Sequence, residues 1–457
     1  MEPFFEQLIV GFWNRLLGRG RGARRERGPL DLGFEVRDGH VTRERFSLSN
    51  TRRTMHLAVL GKTGTGKSSL LRHMIAQDIA SDRGFLCLDL HGEFTQFILG
   101  TVSLRERRER RHLSDRVVLV APADPLFSAG LNPLEGADDF VRTAEFAELL
   151  RRRWSLDHFG ARTDELLRNS LYALAANGLT LLELAPLLTH AGFRRASMKK
   201  VTNAEVRQYF ELRYDPQSEA MQATMREPIL NKTSAFTGVD AFRHLVGQVH
   251  STFSLREAMD ESLWVVVDLA KGKLGDQALT LGSLILTMLK NALFTREGRR
   301  IFTVYADEIQ NFAATESGIE TMLSEARKFG VALVTANQFL DQYPMEMRAA
   351  LAAVGTQVFF QLSGADAAQV AQTLDGGKPL AERLKNLSVR HAVVKSASDR
   401  WAEIAVPTVT EPKVDITDML TRVRTLRSRV RAHVEREIAA RQEGLLHSNH
   451  EGMDDYE

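Results

Sequence analysis

The stretch Gly61-Lys62-Thr63-Gly64-Thr65-Gly66-Lys67-Ser68 spells G-x-x-x-x-G-K-S and directly follows the apolar run Leu57–Leu60. Its glycines let backbone N–H groups close around phosphates, with Thr63, Thr65 and Ser69 completing the turn. Lys67 is placed to reach the terminal phosphates, and the Ser68 hydroxyl to complete a Mg²⁺ shell. Leu70, Leu71, Met74, Ile75 and Ile79 then recur at helical spacing. Strand, glycine-rich loop and amphipathic helix in that order put the phosphates on a helix N-terminus. The reading predicts a nucleoside triphosphate site in an α/β fold.

Working outward, 457 residues suffice for a full α/β core and a smaller domain. A net charge of +2 excludes a globally basic nucleic-acid binder, so any basic surface must be local. The single cysteine, Cys87, lies in an apolar run and allows neither an internal disulfide nor a cysteine metal cluster. His447 and His450 sit in a polar tail and make a poor metal pair. The most apolar stretch, 278–294, is interrupted by Thr280, Ser283, Thr287, Lys290 and Asn291 and reads as a core helix.

Strand signals at 57–60, 84–90, 117–121, 263–268, 301–306, 331–336 and 356–362 alternate with helical patterns, which predicts a mainly parallel sheet covered on both faces. Residues 389–395 and 401–406 read as a late hairpin, and 29–50 as a short β-rich lead-in. The segment 1–28 joins an apolar stripe to an arginine-rich linker and suits a membrane surface or a partner protein. Expected boundaries are 29–137 for the first part of the core, 138–225 for an all-α insertion and 226–412 for the second part. A charged helix and acidic tail follow over 413–457. The Arg/Glu alternation of 104–116 reads as a solvated helix face.

Ile301-Phe302-Thr303-Val304-Tyr305-Ala306-Asp307-Glu308 is an apolar strand ending in two acids. Asp307 there can orient Mg²⁺ through its water shell, and Glu308 can polarise the water that attacks the γ-phosphate. Gln338, just after the strand 331–336, can sense the γ-phosphate. Arg327, just before that strand, can stabilise transition-state charge in a neighbouring subunit's site. Lys271 and Lys273 follow the strand 263–267 around Gly272 and are the candidate nucleic-acid contacts on a loop. A GTPase reading finds Asp89-Leu90-His91-Gly92 and Asn231-Lys232-Thr233-Ser234, but the second lacks the acid that reads guanine and would leave Asp307 and Glu308 without a role.

These residues resemble the HerA–FtsK superfamily of hexameric RecA-like ATPases, and within it the cytoplasmic motors of type IV coupling proteins. The resemblance is carried by 56–69, Cys87-Leu88-Asp89-Leu90-His91-Gly92-Glu93-Phe94, Leu131-Asn132-Pro133-Leu134, 242–255 with 265–275, 307–312, 325–338 and 354–371, most of residues 30–410. It implies a RecA-like P-loop core with an all-α insertion, ATP and Mg²⁺ as cofactors, Asp89 beside the phosphates, Gln338 as sensor and Arg327 acting in trans. It also implies a cytoplasmic hexamer moving DNA or a protein–DNA substrate, with a relaxase or secretion-system components as partners and peripheral contact with the inner face of the membrane through 1–28. Leu90 stands where the family has a proline, and the paired N-terminal membrane helices of full coupling proteins have no counterpart here. Alternatives are a HerA-like DNA-processing or defence translocase, and an ATP-binding adaptor that recruits secretion substrates.

Overall fold

The computed structural model describes residues 28–136, 140–153, 160–313, 319–342, 345–397 and 400–447. The amphipathic segment 1–27, the side chain of His447, His450 and the acidic tail lie outside them.

Among the described residues the strands before the C-terminal arm are β1 Leu30–Arg37, β2 His40–Leu48, β3 Leu57–Leu60, β4 Gly84–Asp89, β5 Val117–Val120, β6 Phe127–Ser128, β7 Trp264–Asp268, β8 Phe302–Asp307, β9 Val331–Asn337, β10 Thr356–Phe359, β11 His391–Ser396 and β12 Ala402–Ala405. All but β6 form one sheet in the order β2-β1-β12-β11-β10-β3-β9-β8-β4-β7-β5. From β10 to β5 every pairing is parallel, while β11, β12, β1 and β2 add an antiparallel wing. The late hairpin and the β-rich lead-in are therefore parts of one sheet: β1 pairs with β12, Phe34 opposite Ala405. That pairing joins segments far apart in sequence, which local patterning cannot show.

Both faces of the parallel part are buried, so its strands are near-continuous apolar runs; Val117–Val120 and Gly84–Asp89 are buried throughout. Side chains alternate between two cores. Val304 and Ala306 face the core shared with helix Asp276–Phe294, whereas Tyr305 faces helices α1, Lys67–Ala80, and α2, Glu93–Glu109. Helix Asp276–Phe294 is long and apolar enough to cross a membrane by composition, yet most of it is buried in the protein. Phe312 packs on it so closely that a Cβ at Gly282 would lie 2.2 Å from the ring.

Helices then run from Phe140–Arg153 through Ala161–Ala176 to Asp240–Val246. The boundary expected at 225/226 falls inside the helix Glu219–Thr237, so the helical region continues past it. Asn231-Lys232-Thr233-Ser234 lies on that same helix, away from any sheet strand, and is no guanine-reading loop. The C-terminal segment forms two helices, Thr417–Arg427 and Arg431–His447, around a short strand Arg429–Val430 that pairs with β6. This arm ties the two regions together. Arg422 pairs with Glu106 of α2 at 2.7 Å, and Arg441 with fully buried Glu183 of the helical region at 2.8 Å.

Within 104–116, Arg107, Arg108 and Arg110 are exposed as a solvated face requires, while Arg105 and Arg116 turn inward. Arg105 and Arg116 both bind Asp82, at 2.8 and 2.6 Å, and the Arg116 guanidinium lies 4.6 Å from the Trp264 ring centroid. Each is only 13–16% exposed, so they brace α2 against the sheet.

Candidate functional site

The parallel strands end along one edge of the sheet, and register sets their ends side by side. Leu60 pairs with Asn337, Asp307 with Ala336 and Asp89 with Asp268. Ligands of open α/β sheets bind outside such carboxyl ends. Here a cavity of about 310 Å³ opens, lined by Thr63, Gly64, Gly66, Lys67, Ser68 and Ser69 together with Asp89, Asp307, Glu308 and Gln338. A larger recess of about 650 Å³ lies elsewhere, beside Leu131, Phe253 and Asn291. It has neither a phosphate loop nor acids at strand ends, so the chemistry belongs to the smaller cavity.

The loop takes the form its sequence requires. Gly64 and Gly66 have φ of +77° and +123°, backbone that side-chain-bearing residues adopt at a cost. A Cβ at Gly61 would lie 2.5 Å from the Phe360 Cβ, so the loop is packed against the chain after β10. Gly66 caps α1, which leaves the first N–H groups of a 14-residue helix facing the cavity. Lys67 Nζ donates to Gly61 O at 2.6 Å and Lys62 O at 3.0 Å, which holds the ammonium over the cradle. Burial lowers the Lys67 pKa, and the charges of Asp307 and Glu308 oppose that shift.

Asp307 and Glu308 lie where the terminal phosphates would be. Burial pushes the Asp307 carboxyl up to about 6 against the pull of Lys67, and Glu308 and Asp89 add to the rise. A divalent cation with its water would supply the positive charge this pair of acids and the phosphates call for. Glu308 has φ of +53°, an unfavourable backbone for a non-glycine residue, maintained by its N–H donating to Ala336 O at 2.9 Å. Its carboxylate accepts from Asn311 Nδ2 and Gln338 Nε2, both at 3.1 Å. The glutamate is thus aimed by two amides, and Gln338 spans the acid and the phosphate end of the cavity.

Asp89 acts through the backbone. Its carboxylate accepts from the N–H groups of His91 and Gly92 at 3.2 and 2.9 Å and from Thr95 N and Oγ1 at 2.7 and 2.8 Å. It shapes the turn that presents Glu93 to the cavity. Asp268, beside it on β7, escaped the sequence reading, although it ends the apolar run 263–267 as Asp307 ends its own. Burial raises its pKa and the Asp89 charge adds to that. Val389 and Arg390 also line the cavity and have no local sequence signal, because they reach it from the antiparallel wing.

Arg327 is exposed and lies at the opposite end of β9. Seven residues of strand at about 3.3 Å each put it roughly 20 Å from Gln338. It is near the start of β3, where burial lowers the His56 pKa to about 4 and the Arg327 charge adds to that shift. Lys271 and Lys273 occupy a single helical turn, Lys271–Leu274, rather than the open loop expected. That turn is docked on the site: Lys271 N–H donates to Leu90 O at 2.9 Å, and Leu269 N–H to Asp89 O at 2.8 Å. Lys273 is exposed and Lys271 half-buried.

Comparison with known proteins agrees with this architecture. Residues 45–228 match the family model for the central domain of helicase HerA. No match is found among curated proteins. The bacterial conjugative coupling protein TrwB, in its unbound form, superposes with a TM-score of 0.62 over 87% of this chain and 94% of that one, at 16% identity. TrwB in complex with ADP and Mg²⁺ gives 0.61 over 86% and 99%, also at 16% identity. VirB4 of Thermoanaerobacter pseudethanolicus gives 0.56 over 84% and 97%, at 11% identity. At these identities the solved structures speak for the fold, and the family match covers the segment that carries the phosphate loop. The chain has the RecA-like P-loop fold of TrwB and VirB4, and its segment 45–228 is similar to the central domain of helicase HerA.

Proposed function

We propose that this chain is an ATP-driven motor that translocates DNA or a protein–DNA substrate, in the manner of type IV coupling proteins, as a cytoplasmic ring with sites shared between subunits. The observation that carries the reading is the separation of Arg327 from its own phosphate loop. Lys67, Asp307, Glu308 and Gln338 line one cavity at one end of the sheet, while Arg327 is exposed at the other. An arginine so placed serves a neighbour's nucleotide, as shared-site ATPases require. Ser68 and Asp307 would hold the Mg²⁺ that accompanies ATP, which would neutralise charge at the phosphates. Captured TrwB contains ADP with Mg²⁺, which supports the same cofactors here. Lys271 and Lys273 are the proposed nucleic-acid contacts, with Lys271 backbone-bonded to the turn that Asp89 shapes. The segment 1–28 is the proposed peripheral membrane contact, and a relaxase or secretion component the proposed partner.

The test is ATPase activity with and without single- and double-stranded DNA, combined with mass determination in ATP. Stimulation by DNA together with an ATP-dependent ring is expected; a monomer indifferent to DNA would support the adaptor reading instead. The match to the HerA central domain favours one second reading, a DNA-processing translocase. A motor of that kind would co-purify with a nuclease, whereas a coupling motor would co-purify with a relaxase.

A further inference from the structure

The phosphate loop is clamped from one side by the residues leading into β11. Arg390 N–H donates to Thr65 O at 2.7 Å, and Arg390 O accepts from Val406 N–H at 2.8 Å. Gly66 packs so tightly there that a Cβ would lie 2.9 Å from the Arg390 Cα. Arg390 itself has φ of +67°. Unfavourable backbone of this sort persists where its surroundings over-determine it, and it concentrates at ligand clamps.

Sheet order decides which end of a bound nucleotide meets this segment. β3, which leads into the loop, has β9 on one side and β10 on the other. Asp307, Glu308 and Gln338 stand on the β9–β8 side, where the terminal phosphates react. The nucleoside leaves the other end of the triphosphate and so extends toward β10 and β11. On that side Val389 lines the cavity while remaining 65% exposed, an aliphatic surface open to a ligand. Next to it the Arg390 guanidinium is steered by a hydrogen bond to Thr408 Oγ1. An aliphatic surface beside a planar cation is suited to the face of a nucleobase, through dispersion and cation–π stacking.

We infer that Val389 and Arg390 form the platform for the base and ribose of the bound nucleotide, an inference that rests on reading the cavity as an ATP site. The platform grips the π face of the base, so it distinguishes a nucleotide from a bare triphosphate.

Binding of Mg·ATP and of Mg·tripolyphosphate to the full chain, measured by calorimetry, separates the two ends of the ligand. In Val389→Asp and in Arg390→Gln the affinity for ATP should fall about tenfold, while tripolyphosphate binds as before. Val389 projects into open space, so its substitution leaves packing intact and keeps the test valid even if Arg390→Gln perturbs the loop. Equal weakening of both ligands, or no change in ATP affinity in either variant, would overturn the platform. So would wild-type protein that binds tripolyphosphate as tightly as ATP. Wild-type protein that binds neither would instead refute the ATP site itself.

Discussion

The Tyr305 hydroxyl donates a 2.7 Å hydrogen bond to Asp78 Oδ2, which joins the strand ending in Asp307 to the helix beginning at Lys67. Tyr305 and Asp307 share a face of β8, and Asp78 lies on the buried side of α1. Arg53 completes the junction with bonds of 2.9 and 2.8 Å to both Asp78 oxygens and 2.8 Å to Thr303 Oγ1. Arg53 and Asp78 side chains are 2% and 0% exposed. The phosphate loop and the strand that ends in the acid pair are therefore braced from below by buried polar contacts as well as by apolar packing.

Removing one partner from this junction should be costly in proportion to what is left unpaired. Tyr305→Phe deletes one hydrogen bond and is expected to cost about 1–2 kcal/mol. Asp78→Ala removes the carboxylate that neutralises the buried Arg53 guanidinium and should cost about 3–5 kcal/mol. Chemical denaturation of the two variants checks the order; equal losses would mean that the carboxylate contributes only a hydrogen bond.

Lys67→Ala and Glu308→Gln should both abolish turnover with the fold retained, by different routes. The first removes charge neutralisation at the phosphates and weakens nucleotide binding. The second leaves binding intact and traps ATP, with turnover reduced by about 10²–10⁴-fold. Single-turnover hydrolysis and nucleotide retention distinguish them, and near-normal hydrolysis by Glu308→Gln would assign water activation to another acid.

Asp307 is needed as a carboxylate, and burial holds its pKa near 6 in the free protein. As pH falls through about 6 the group takes up a proton and can no longer orient the metal's water. kcat/KM for Mg·ATP, which reports the free enzyme, should therefore decline on the acidic side of about pH 6. A profile flat down to pH 5 would show that Asp307 stays ionised against its burial.

Arg327→Ala subunits mixed with Lys67→Ala subunits should recover part of the ATPase activity that each lacks alone. Recovery comes from sites where an intact Lys67 meets a neighbour's intact Arg327. Co-assembly without recovery would leave Arg327 as a surface residue.

Changing both Lys271 and Lys273 to alanine should weaken DNA binding and flatten its logarithmic salt dependence by about one to two units, with basal ATPase preserved. An unchanged slope would move the nucleic-acid contact to the arginine-rich residues before Gly28. The run 104–116 is the other alternative, through its exposed Arg107, Arg108 and Arg110 rather than through Arg105 and Arg116, which pair with Asp82.

What the sequence determined by itself was everything dictated by local pattern. The G-x-x-x-x-G-K-S turn needs its glycines whatever surrounds it, and seven apolar runs with helices between them admit little besides a parallel sheet. Asp307 and Glu308 were legible because acids ending a buried strand have few structural uses. What tertiary structure alone decided was adjacency. The register that sets Asp89 beside Asp268, the wing that carries Val389 and Arg390 to the phosphate loop, and the C-terminal arm that reaches Glu106 and Glu183 all join residues distant in the chain. Pairing across a sheet and burial of a charge depend on which surfaces meet, and no local periodicity encodes that meeting. Arg105 and Arg116 illustrate the point: within an alternation that is otherwise solvated, these two became a brace once Asp82 and Trp264 were brought beneath them.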